Sequence, residues 1–183
     1  MVDESVMTIE REPPTAVPLA AWLARAVARA GRAILGLVLI GMVVLNVVNA
    51  LGRYLFGSVF IGADELLVFA MVWLVMIGAL FVTADRSHIA LDFLPLRASV
   101  RTRLALAIVH HVAIALGAGY AAMQSYGFVG RVMMTGQTSM ALGLPMTIPH
   151  TALLVGFGGC ALIAAALVVA DGVELARRSG IDA

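Results

Sequence analysis

Lysine is absent from the 183-residue chain, so all twelve basic side chains are arginines, and cysteine occurs once, as Cys160. A lone cysteine excludes an internal disulfide and any cysteine-based metal site. Charge of either sign is scarce: 13% of residues are charged, against roughly 25% in soluble domains. The formal net charge is +1, and no basic block or basic-aromatic platform is present. Nucleic acid therefore has no footprint here. Also missing are a nucleophile-base-acid set, a phosphate-binding glycine loop and any His-x-x-x-His or Cys-x-x-Cys pair. No enzyme signature and no cofactor or metal site is read from the chain.

What the chain has is apolar length. Hydrophobic residues make up 62% of it, and the mean hydropathy is +1.01. They gather into four runs, at about residues 33–55, 65–84, 104–130 and 151–170. Each reaches the ~20 residues a helix needs to cross a bilayer core, and the third is long enough to cross tilted. Neither barrel-like alternation nor an internal repeat is present. The fold class expected is all-α, an integral membrane protein of four transmembrane helices within residues 33–172, with tails at 1–17 and 173–183.

Residues 1–14 are polar and acidic-leaning, without the basic region of a cleavable signal, so the first apolar run is expected to stay as an anchor. Residues 18–32 are amphipathic. At 100° per residue, Leu19, Leu23, Ala26, Val27 and Ala30 share one arc, Arg25, Arg29 and Arg32 occupy the other, and Trp22 lies at the boundary. This predicts an interfacial helix lying on the membrane; the alternative is a plain extension of the first span.

Orientation follows from the arginines. Arg11, Arg25, Arg29 and Arg32 precede the first span, Arg86, Arg97, Arg101 and Arg103 fall between the second and third, and Arg177 and Arg178 follow the fourth. The other two connections hold one each, Arg53 and Arg131. The positive-inside rule then predicts both termini and the middle loop in the cytoplasm.

Ionisable groups are costly inside a bilayer and persist where they carry ions or protons. None of Asp, Glu or Arg falls near the middle of a span, which argues against autonomous transport. Arg53, Asp64 and Glu65 stand at span ends, as an electrostatic clasp or as plain interfacial charge. Asn46, Asn49 and Arg53 form a stripe at i, i+3 and i+7, either a substrate contact or the interhelical hydrogen bonding for which spans ordinarily use Asn. His110 and His111 raise the idea of haem, which needs a second ligand at matching depth. His88 lies in the middle loop and His150 at the outer end of the fourth span, so the alternative is one protein-facing helical face of His110, Gly117, Ala121 and Gln124. His88 and Asp92 form a polar helix cap or a joint contact. Gly156, Cys160 and Ala164, four residues apart, permit close helix approach.

The connection over 131–150 carries Arg131, Met133, Met134, Gln137, Met140, Pro145 and Met146, and Gly136, Gly143, Pro145 and Pro149 argue against a continuous helix there. Its methionines suit a surface that grips a partner, or alternatively a loop folded over its own helix ends.

The stretch NALGRYLFGSVFIGADELLVFAMVWLVMIGALFVTADRSHIALDFLP resembles the core of a known family, the small membrane subunit of tripartite ATP-independent periplasmic (TRAP) transporters, or DctQ-like proteins. The resemblance rests on Arg53, Tyr54, Phe56 and Gly57 leaving the first span, Glu65 opening the second, Trp73 and Gly78 within it, and the turn His88, Ile89 and Asp92. LPMTIPH at 144–150 is similar to the Pro-rich segment before the family's last span, with Thr147 where an aromatic is usual. The resemblance covers about residues 33–172. It implies an inner-membrane subunit that scaffolds a large permease subunit, which itself carries sodium and an organic acid such as a dicarboxylate delivered by a periplasmic receptor. The candidate large-subunit or interhelical contacts are Asn46, Asn49, Arg53, Asp64, Glu65, Trp73, Gly78, His88, Asp92, His110 and Gln124, with residues 131–146 facing the receptor. Membrane lipid is the remaining expected partner. The competing expectations are a haem-bearing or structural anchor of a respiratory complex, and an unpartnered four-span protein.

Overall fold

The computed structural model describes residues 19–85 and 99–181. Among them are four helices: α1 (Leu19–Phe56), α2 (Ala63–Ala84), α3 (Val100–Thr135) and α4 (Thr147–Ile181). All four are long and apolar enough to cross a membrane. A helix is the structure such runs must take, since every backbone polar group has to find its partner within the segment.

The helices outrun the apolar runs that announced them. α1 is one helix of 38 residues, so the amphipathic stretch joins the first span without an interruption. α3 begins four residues before its run, where the Ser99 hydroxyl accepts from the Thr102 amide at 3.2 Å and caps the open helix end. α4 begins at Thr147, because Pro149 falls in its first turn, where a missing N–H costs nothing. The connection expected over 131–150 therefore shrinks to residues 136–146, and Arg131, Met133 and Met134 belong to α3.

The main packing runs α1 on α2, α2 on α4 and α4 on α3. This is an open row in the order α1–α2–α4–α3. Burial follows the row: 22% of the most apolar stretch of α4 is buried within the chain, against 6% for each of the edge helices α1 and α3. Small residues set the α2–α4 contact. A Cβ placed on Gly156 would come within 2.6 Å of Met76 Sδ, and one on Gly159 within 2.5 Å of Leu80 Cδ2. One turn on, the Thr83 hydroxyl donates to the Ala79 carbonyl at 2.8 Å and lies 3.4 Å from Cys160 Sγ. Ala152, Cys160 and Ala164 continue the buried face of α4.

The α1–α2 pair closes at both ends. Near the chain termini, Gly31 faces Phe81 and Arg32 forms an ion pair with Asp85. At the loop end, the Asn49 side-chain Oδ1 accepts from the Phe60 amide at 3.0 Å. Gly62 begins α2 with φ 91°, a left-handed conformation that glycine adopts without a Cβ penalty.

Candidate functional site

The loop end of the molecule is built around Glu65. Its two carboxylate oxygens accept from consecutive backbone amides of the α3–α4 connection, Ala141 at 2.9 Å and Leu142 at 3.0 Å. Such charge-assisted bonds are shorter and stronger than neutral ones. The connection is also tied to itself. A bridge joins Thr138 and Pro145, the Met146 amide donates to the Gln137 carbonyl at 3.0 Å, and buried Ser139 accepts from the Leu144 amide at 3.2 Å through its hydroxyl. Leu142 seats against Gly62. The result is a fastened hairpin-like tip with Met140 at its apex, 100% exposed; Met134, in the last turn of α3, is 91% exposed. Met133, Gln137 and Pro145 are exposed as well, while Met146 is half-buried.

Glu65 is thus occupied by backbone rather than by Arg53. Arg53 and Asp64 are both exposed, and among the described residues Arg53 makes no ion pair with either acid. The Asn stripe also divides. Asn49 is buried and fixes the α1–α2 connection. Asn46 is exposed and opens on a groove of about 330 Å³ walled by Leu39, Met42, Val43, Val47 and Met71. Trp73 and Gly78 are half-buried on α2. His88 and Asp92 lie outside the described residues.

On α3, His110 and Gln124 are exposed. Gln124 donates to the Tyr120 hydroxyl at 3.0 Å, one turn away. His110 meets His111 edge-on, with 5.7 Å between ring centres. His111 itself turns inward and was not singled out for the partner it has: its Nδ1 lies 3.0 Å from Asp171 Oδ2, with both side chains under a tenth exposed. Asp171 stands one residue beyond the apolar run, yet α4 continues for ten further residues to Ile181, so the carboxylate is held against α3 instead of in water. Measured along α4 at 1.5 Å per residue, Asp171 is about 16 Å past Cys160, the residue level with the last turn of α2. Among the described residues, no group of three His, Cys, Asp or Glu side chains is placed to hold a metal.

A second cleft, of about 440 Å³, opens between α3 and α4 toward the loop end, lined by Gln124, Ser125, Phe128, Arg131, His150 and Leu153. The Arg131 guanidinium stands 5.5 Å from the Phe128 ring centre, and His150 meets the same ring edge-on at 4.6 Å.

Comparison with curated proteins returns no match. The sequence does match the family described as tripartite ATP-independent periplasmic transporters, DctQ component, over residues 39–172. That match takes in the second half of α1, all of α2 and α3, the fastened tip and α4 as far as the Asp171 pair. The chain belongs to the DctQ family, the small membrane component of TRAP transporters.

Proposed function

We propose that the chain is the fixed scaffold of a sodium-coupled importer of an organic acid such as a dicarboxylate. It sits in the bacterial inner membrane with both termini in the cytoplasm, binds a large permease subunit and borders the periplasmic receptor. The observation that supports this reading is the open row of helices. A row with two bare edges, each edge helix buried over only 6% of its most apolar stretch, encloses no path of its own, so translocation belongs to a partner. The exposed polar side chain of Asn46 within the α1 span marks a face that protein rather than lipid covers, because a bare amide in hydrocarbon is costly. The fastened tip carries Met140 outward on the side assigned to the periplasm, where an adaptable thioether surface suits a receptor that docks and leaves.

Reconstitution tests the reading. The chain alone in proteoliposomes with a sodium gradient moves no organic acid, and addition of the large subunit and loaded receptor restores uptake. Sodium-dependent uptake by the chain alone refutes the scaffold.

A further inference from the structure

The cleft between α3 and α4 holds two cationic or proton-bearing side chains, Arg131 and His150, and no carboxylate. Among the described residues Arg131 forms no ion pair; it rests on the Phe128 ring. Its direction matters. Side chains on a helix tilt toward the helix N-terminus, which at this end of α3 means toward the membrane interior. Arg131 follows that rule: its Nη1 lies 3.9 Å from the position of a Cβ on Gly127, one turn deeper. An arginine near a span end ordinarily reaches outward to water. One folded inward over an aromatic ring, with an exposed surface and no counterion, calls for an anion at membrane depth.

The surface below the cleft states what carries that anion. Leu116, Tyr120, Met123, Gly127 and Arg131 succeed one another at three- and four-residue spacing, so they share one face of α3. All five are exposed, with Leu116 at 71%, Tyr120 at 64% and Met123 at 72%. Gly127 makes a gap in this face, since only the Arg131 side chain comes within 4 Å of its missing Cβ. One leaflet contributes about 15 Å of a ~30 Å hydrocarbon core, or about ten residues of helix. Ten residues from Arg131 is the level of Tyr120 and Ala121.

We propose that this cleft seats the phosphate of a membrane glycerophospholipid, with one acyl chain lying across Gly127 toward Tyr120. Arg131 supplies a forked pair of donors that matches phosphate geometry, the His150 ring and the Ser125 hydroxyl offer further polar contacts from the opposite walls, and Phe128 and Leu153 cover the glycerol end. The site stands on residues of this chain alone and does not depend on which partner subunits it joins.

Native mass spectrometry of the purified, delipidated chain tests it, with phosphatidylglycerol, diacylglycerol of the same acyl chains and soluble glycerol phosphate as probes. Phosphatidylglycerol binds the wild-type chain at least tenfold more tightly than either of the others. Arg131→Gln removes that tenfold preference, Gly127→Leu weakens the lipid without involving a charge, and Arg177→Gln at the far end of α4 changes neither. Arg131→Lys, which keeps the charge and loses the fork, falls between wild type and Arg131→Gln and serves if the glutamine variant does not fold. Equal binding of diacylglycerol overturns phosphate recognition. Equal binding of glycerol phosphate makes the cleft a site for free anions instead, and an Arg177→Gln loss as large as that of Arg131→Gln makes the association non-specific.

Discussion

Asp171 and Glu65 are both single carboxylates whose partners lie far along the chain, and they differ in what held them from view. Asp171 ends an apolar run that reads as complete at Ala170, and only the continuation of α4 to Ile181 turns it into a buried residue beside His111. The adjacent His110 and His111 were visible as a pair, but helical spacing alone did not say which ring faced α4. Glu65 was visible as a charge at the start of a span. Its partners are backbone amides of Ala141 and Leu142, and no pattern of side chains encodes a backbone donor. Arg53, the obvious cation nearby, is left exposed on α1. The Asp171 pair carries a measurable consequence. Removing one member of a buried hydrogen-bonded pair leaves the other unsatisfied, at a cost of about 1–3 kcal/mol. Asp171→Ala is expected to lower the unfolding free energy in detergent by that order. Asp171→Asn, which keeps a neutral hydrogen bond of about 1 kcal/mol, is expected to lose less. Equal stability of Asp171→Ala and wild type would remove the pair from the account of how α3 holds α4.

The four helices themselves were legible because apolar runs of about twenty residues have one reading in a membrane. Their ends were not, since hydrophobicity stops where water begins while hydrogen bonding continues past it. Ser99 and Pro149 are the residues that set the true starts of α3 and α4. The Gly156, Cys160 and Ala164 register did carry tertiary information: it lies on the buried side of α4, where Gly156 leaves room for Met76. Helix association in lipid rests on close packing more than on expulsion of water, so a bulky residue there is felt at once. Gly156→Leu is expected to cost about 1–3 kcal/mol by overpacking and to separate α2 from α4. Crosslinking reads this out directly. A cysteine introduced by Thr83→Cys faces native Cys160 and is expected to form a disulfide under oxidation, whereas the same substitution combined with Gly156→Leu is expected to yield far less. Undiminished crosslinking would show that the α2–α4 contact does not need the glycine.

For the whole molecule, the number of spans was open to the sequence, and the neighbour relations were not. Sidedness rests on the arginines and is checked by reporter fusions: alkaline phosphatase joined after Ser58 or Gly136 is expected to be active, and after Ser99 or Ser179 inactive. The reverse pattern would invert the membrane sides throughout. The order α1–α2–α4–α3 has no sequence signature, because consecutive helices most often stand side by side and here α2 and α3 do not. That order bears on how the protein is made. Helices enter the bilayer first and associate afterwards, and translation delivers α3 before the helix that separates it from α2 exists. Until Thr147 and the residues after it emerge, α3 has no settled neighbour and α2 has only α1. The final insertion event is then a wedging of α4 into a place between two helices already in the membrane. Glu65 already waits at the mouth of that place, and the 141–142 amides it captures travel on the tether that brings α4 in. A ribosome that stalls before Thr147 leaves a chain with three spans and only one of its three helix contacts.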